Sequence, residues 1–212
     1  ANAATFSGTF DGSWYDSDYF GGSGNSIDDT GNNADWGNRR DDERSQLTFM
    51  DGNFSHELQG GHNLYEIGRI EWYNASWNNF DPFFRLEARL ELDIDAPISD
   101  QNNVDYIDLD IDTSNNGSSV AEDAAMLVSF DDFFIGLPLN FGDGYFLEGF
   151  EVSVAGDGGL SGLNWTNPEQ GTSELILSAK ISGPAVVPLP AAGWMLLAGL
   201  GGLAAMKRRR KS

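Results

Sequence analysis

Phe84-Arg85-Leu86-Glu87-Ala88-Arg89-Leu90-Glu91-Leu92-Asp93-Ile94 carries an apolar residue at every even position and a charged one at every odd position after Phe84. A period of two sends the two sets to opposite sides of an extended chain, so the stretch reads as a strand with one buried and one wet face. A helix would put Leu86 and Leu90 on one side but turn Ala88 to the other. Ile107-Asp108-Leu109-Asp110-Ile111-Asp112 repeats the alternation with an acidic outer face. Working outward, Thr5–Phe10, Gln46–Met50, Leu64–Tyr73, Ala124–Phe130, Tyr145–Val154 and Ser173–Ile181 are further strand candidates. Polar turns rich in Gly, Asn and Asp separate them: Asp51-Gly52-Asn53, Asn115-Asn116-Gly117, Gly142-Asp143-Gly144 and Ala155–Gly159.

The pattern describes an all-β domain over residues 5–182, an antiparallel β-sandwich or jelly roll of about eight strands. A parallel architecture is disfavoured, because no stretch has the helical period a crossover needs. Residues 11–44 stand apart, rich in Gly, Asp, Asn and Ser with Trp14, Tyr15, Tyr19, Phe20 and Trp36 interspersed. They are expected to form a long loop.

The chain has 212 residues, enough for one domain with a sizeable core, and no cysteine. Disulfides, thiolate metal sites and cysteine nucleophiles are thereby excluded. The net charge is −21, yet Lys207, Arg208, Arg209, Arg210 and Lys211 supply five of the twelve basic residues. The rest of the chain carries seven basic against 33 acidic residues, a net of −26. So anionic a surface repels phosphates, and nucleic acid is not an expected partner. Divalent cations, neutral glycans and basic proteins remain compatible.

The two ends read as export signals. Ala1-Asn2-Ala3-Ala4 has the small residues of a signal-peptide cleavage region, so residues 1–4 are expected to lie at or near a cut. At the other end, Ala185 to Met206 carries no charge and is followed by five bases. Residues 183–190 form a proline-containing linker, residues 191–206 a short transmembrane helix, and residues 207–212 a basic cytoplasmic tail. The positive-inside rule then leaves the rest of the chain outside the cytoplasm. A simple C-terminal membrane anchor is the alternative.

Val187-Pro188-Leu189-Pro190-Ala191, then an apolar helix, then an arginine cluster, resembles the VPLPA variant of the PEP-CTERM sorting signal. That resemblance implies an exosortase-type membrane protease as partner, cutting near the prolines in a Gram-negative bacterium that makes exopolysaccharide. The membrane would be a partner only before processing, and the product would sit at the cell surface or outside the cell. The two prolines forbid regular helix there and hold the backbone extended, within reach of a protease. A second resemblance rests on Asn32-Asn33-Ala34-Asp35-Trp36-Gly37, Ser45-Gln46-Leu47-Thr48-Phe49 and Leu64-Tyr65-Glu66-Ile67-Gly68-Arg69-Ile70-Glu71-Trp72-Tyr73-Asn74. These look like the choice-of-anchor K domain, whose pattern has Phe-x-Leu-Gly where this chain has Tyr65-Glu66-Ile67-Gly68. No catalytic residue comes with it.

Residues that could carry chemistry are few. Asp110, Asp112, Ser114, Asn116 and Asp123 have oxygen ligands at the spacing of a calcium loop. The competing and favoured reading is a solvated acidic strand running into an Asn-Gly turn. Calcium is the one cofactor considered; none is otherwise expected. His56 and His62 are too irregularly placed to suggest zinc, and a glycosidase-like pair such as Glu71 and Glu151 is not singled out among so many carboxylates. Trp14, Trp77 and Trp165 are the aromatics read as loop residues that could stack on sugar rings, whereas Trp36 and Trp72 read as core. The expected function is that of an exported, non-enzymatic surface or matrix protein associated with exopolysaccharide. A carbohydrate-binding module is the alternative and a secreted glycan hydrolase the third reading.

Overall fold

A computed structural model describes residues 4–19, 25–38, 44–75, 83–98, 100–112, 122–128 and 137–184. The described residues form fourteen strands: β1 (Thr5–Tyr19), β2 (Asn25–Thr30), β3 (Asn33–Asn38), β4 (Ser45–Met50), β5 (Gly52–Glu57), β6 (Gly61–Tyr73), β7 (Phe83–Ala96), β8 (Asp100–Asp112), β9 (Glu122–Val128), β10 (Leu139–Gly142), β11 (Tyr145–Gly156), β12 (Gly159–Ser161), β13 (Asn164–Pro168) and β14 (Thr172–Gly183). They build two seven-stranded sheets, ordered β12-β13-β9-β8-β7-β1-β5 and β10-β11-β14-β6-β4-β3-β2. Neighbouring strands within each sheet run antiparallel.

All eight strand candidates lie in strands as far as they are described (the last two residues of Ala124–Phe130 lie outside the described residues), but the expected number was too low. Much of 11–44 is also strand rather than loop: β1 runs on to Tyr19, and β2 and β3 pair with each other. The reason is the partner. From Phe10 to Tyr19 β1 lies along β7, whose unbroken alternation keeps a strongly polar neighbour paired across one shift in register between Trp14 and Asp16.

β7 shows how the sequence dictates the layer. Phe84, Leu86, Ala88, Leu90, Leu92 and Ile94 are all buried, while the charged residues between them face outward. The same parity buries Ile107, Leu109 and Ile111 in β8 and Leu175, Leu177, Ala179 and Ile181 in β14. The two inner faces meet through aromatic rings, Trp14 against Phe49 at 4.7 Å, Trp36 against Phe84 at 5.3 Å and Trp72 against Trp165 at 5.1 Å. Along β1, Phe6 meets Phe141 of β10 and Tyr65 of β6, and Trp14 meets Phe49 of β4. β1 therefore crosses the strands of the second sheet instead of following one of them, as in sandwiches whose sheets pack at a steep angle.

Two glycines make that crossing possible. A Cβ on Gly68 would lie 2.1 Å from the Phe10 ring, and one on Gly12 would lie 2.2 Å from the Phe49 ring. Each ring rests on bare backbone of the opposite sheet. Gly68→Ala is expected to cost about 1–3 kcal/mol in urea unfolding, since a packed ring must be displaced. Gly52→Ala, with nothing within 4 Å of the new methyl, should stay within about 0.5 kcal/mol. Equal stability of the two variants would refute the packing role of Gly68.

Candidate functional site

The structure distributes the sequence-derived candidates unevenly. Val187 to Ala191 and Lys207 to Lys211 lie outside the described residues, as do Trp77, Ser114 and Asn116. Asp123 is described only as a position in β9, opposite Asn167 of β13. Asp110 is engaged by Arg85, whose Nε and Nη2 donate to its two carboxylate oxygens at 2.6 and 3.1 Å. That is the behaviour of a solvated strand face with its own counter-ion. Among the described residues no group of three or more His, Asp or Glu comes together to hold a metal ion.

Trp14 and Trp165 require a correction. Trp14 is 3% exposed and Trp165 0% exposed, so neither offers a ring face to a sugar. Trp14 extends the inward parity of Phe10 and Gly12 and donates its Nε1–H to the Leu47 carbonyl. Trp165 packs on Trp72 and donates to the Ser173 hydroxyl at 3.0 Å. Indole is buried most readily where its N–H finds an acceptor, and both have one. Trp36 and Trp72 are core residues, as expected.

The histidines and glutamates fall into separate local arrangements. His62 Nδ1 lies 3.4 Å from Glu148, whose carboxyl is held below its usual range by the Ser182 hydrogen bond first and by His62 as well. Glu71 stands opposite Glu174 in the β6–β14 register, while Glu151 sits on β11 beside Lys180 at 3.3 Å. β14 thus separates the strands that carry Glu71 and Glu151.

An open groove of about 600 Å³ runs beside β5, between Met50–His56 and the segment Glu66–Arg69 with Glu174. It arises where the chain leaves the second sheet at Met50 and enters the first at Gly52. Asp51 makes the corner, accepting the Gly12 N–H at 2.8 Å; burial pushes its carboxyl up and this bond draws it back. Opposite, β6 carries a bulge. Gly68 pairs with Leu177 and Glu66 with Ser178, so Ile67 is left over. The Glu66 carbonyl accepts from His56 Nε2 at 2.6 Å, which places the imidazole proton on that nitrogen. Arg69 donates from Nε and Nη2 to Glu66 at 2.5 and 2.9 Å, and from Nη1 to Glu174 at 2.5 Å. The Glu66 bonds first, and Glu174 next, hold the guanidinium well above its ordinary value. The groove therefore offers fixed, mutually satisfied polar groups on an apolar floor of Phe54 and Ile67.

The second feature is the outer face of the first sheet. Val104 and Tyr106 of β8 and Met126 of β9 project from it, Tyr106 49% and Met126 51% exposed. The register places Tyr106 opposite Arg89, Val104 opposite Glu91, and Met126 opposite Asp110. Like charges stand opposite one another in the register, among them Asp11 with Glu91 and Glu87 with Asp108. Such pairs are destabilising on a strand surface.

Sequence reading missed a buried amide cluster at one end of the sandwich. Asn74 Nδ2 donates to the Asn167 carbonyl at 2.9 Å, and Asn167 Nδ2 donates to the carbonyls of Trp72 and Gly171 at 2.8 and 3.1 Å. Ser45 donates to Asn74 Oδ1 and accepts the Ala75 N–H. The signal was present. Ser45 and Asn167 occupy the inward parity of β4 and β13, in step with Leu47 and Trp165, and Asn74, one residue past β6, continues that of Trp72.

No family model matches this chain, and no curated protein matches it either.

Proposed function

We propose that this chain is an exported surface or extracellular-matrix protein without catalytic chemistry of its own. In this reading it crosses the inner membrane of a Gram-negative bacterium and is processed by an exosortase-type membrane protease at Val187-Pro188-Leu189-Pro190-Ala191. The observation that carries the reading is the order of parts along the chain. The last of the described strands, β14, ends at Gly183, and the proline motif begins four residues later, followed by the apolar run and the basic cluster. A cut in that motif separates the tail while leaving every described strand on one side of it. The apolar segment at 191–206 then acts as a transient membrane helix. Polysaccharide binding is a second reading, favoured by the exposed ring of Tyr106 on the polar outer face of the first sheet.

Intact-mass measurement of the protein isolated from its native cell surface tests the processing. The expected mass lacks everything beyond about Pro190, including Lys207 to Lys211. Intact basic residues on surface protein, from cells shown to carry the protease, would overturn the proposal.

A further inference from the structure

We infer that the free edge of β5 is a self-association site, where a second copy of this chain pairs antiparallel with the first about a two-fold axis through Ser55. The inference goes beyond the surface-protein reading and does not depend on how the tail is processed.

Among the described residues four strands end the two sheets, β12 and β5 in the first and β10 and β2 in the second. An open edge is a template for another strand, and proteins blunt it with shortness, charge, proline or a bulge. β12 has three residues, β10 has four with a register shift against β11, and β2 carries Asp28 and Asp29. β5 has six residues, no proline, and a register to β1 that runs without a shift. Its one carboxylate, Glu57, stands at its end. The groove lined in succession by Gly52 to His56 gives an incoming strand room.

The ladder to β1 fixes which main-chain groups face outward. Leu58 donates its N–H to the Ala4 carbonyl, continuing the register in which Glu57 stands opposite Thr5. Antiparallel bonding alternates, so Gly52, Phe54 and His56 also turn their main-chain groups to β1. Asn53, Ser55 and Glu57 turn theirs to the free edge, and their side chains are exposed.

Those three residues select the partner. With the axis through Ser55, Asn53 faces Glu57 of the second copy, Ser55 faces Ser55, and Glu57 faces Asn53. Each outward N–H and C=O of the three then meets its complement in the second copy. Each carboxylate meets a carboxamide that can donate to it, and no two carboxylates are opposed. An axis through Phe54 would instead bring Glu57 opposite Asp51, a like-charge pair. A row of main-chain donors and acceptors at strand spacing is what another strand uses.

The chain has no cysteine, so single substitutions report the pairing through disulfides between copies. In the full chain in detergent micelles, Ser55→Cys is expected to give at least about fivefold more linked dimer than Ser161→Cys, an exposed site on the edge strand β12. Asn53→Cys mixed with Glu57→Cys should cross-link at least about fivefold more than either alone, as the register centred on Ser55 requires. Ser55→Pro removes an outward donor and leaves the bonds to β1 intact, so sedimentation should show association of the cysteine-free chain weakened at least about tenfold. Raising salt from about 0.02 M to about 0.5 M should tighten association about threefold or more, because copies of net charge −21 repel. Equal cross-linking at Ser55 and Ser161, or Asn53→Cys linking to itself more than to Glu57→Cys, would overturn the proposal. So would association that salt weakens, association through the apolar tail that survives Ser55→Pro, or a monomer at every concentration up to about 0.5 mM. Should Ser55→Pro fail to fold, the cysteine pairs decide alone. None of these outcomes bears on tail processing, which the mass measurement decides separately.

Discussion

Ala88→Asp is expected to lose about 3–5 kcal/mol of stability, enough to leave a domain of ordinary stability largely unfolded. Ala88 is fully buried in β7, with Trp14 of β1 opposite it on one side and Ile107 of β8 on the other. An aspartate there faces rings and aliphatic side chains, and the outward-facing arginines of the same strand point the other way. Burial without a partner raises its carboxyl pKa in the folded state above the unfolded value. The penalty is therefore full at neutral pH, where the unfolded state releases the proton readily, and shrinks as pH falls and the folded carboxyl takes the proton up. Urea unfolding at about pH 4 and about pH 7 should show the variant closer to the parent at the lower pH. A variant as stable as the parent at neutral pH would mean that Ala88 does not face the core. Ala88→Ser, smaller and uncharged, should cost much less.

Asn167→Ala should cost about 2–4 kcal/mol, since it removes the side-chain donor from the buried Trp72 carbonyl and one of the two donors from that of Gly171. Those carbonyls belong to Trp72 in β6 and Gly171 in the turn before β14. The effect should therefore appear as early local opening where β6, β13 and β14 meet. Amide hydrogen exchange reads this directly: the Asn74 N–H, bonded to the Gly171 carbonyl, and the Gln170 N–H, bonded to the Asn74 carbonyl, should exchange faster. Global destabilisation with unchanged relative protection at those two amides would place the loss elsewhere.

The legible part of the fold was the part where alternation is strong. β7 has an apolar residue at each inward position and a charge at each outward one, and nothing in the packing contradicts it. β3 and β5 were illegible because polar residues outnumber apolar ones in Asn33–Asn38 and Gly52–Glu57. Their strand state comes from the neighbours that pair with them, β4 and β1. The turn signal at Asp51-Gly52-Asn53 was real but of another kind: one residue passes the chain between sheets, and extension resumes at once. Trp14 and Trp165 were misread because glycine and asparagine around them resemble loop composition, although their parity with Phe10 and Asn167 placed them inside. Parity also explains what the motif residues do. Trp36, Leu47, Phe49, Tyr65, Trp72 and Asn74 are all buried, so the patterns behind the choice-of-anchor resemblance are packing patterns. The groove beside β5 had no sequence signal, because it joins residues from strands that pair in different sheets. The outer face was legible as acidic, but the position of Tyr106 among the carboxylates needed the register.

β14 is the strand through which any load on the C-terminal side enters the domain. It lies inside the second sheet, gripped from Thr172 to Gly183 by β6 and from Ser173 to Ser182 by β11. Hydrogen bonds between antiparallel strands lie across the strand direction. A pull on the chain beyond Gly183 acts along β14, so it shears both rows of bonds together instead of peeling them one at a time. A domain held by that end against flow or by a growing matrix resists extraction with two full ladders at once. The mechanically weak places are then the short outer strands β10 and β12, which lie off the line of force.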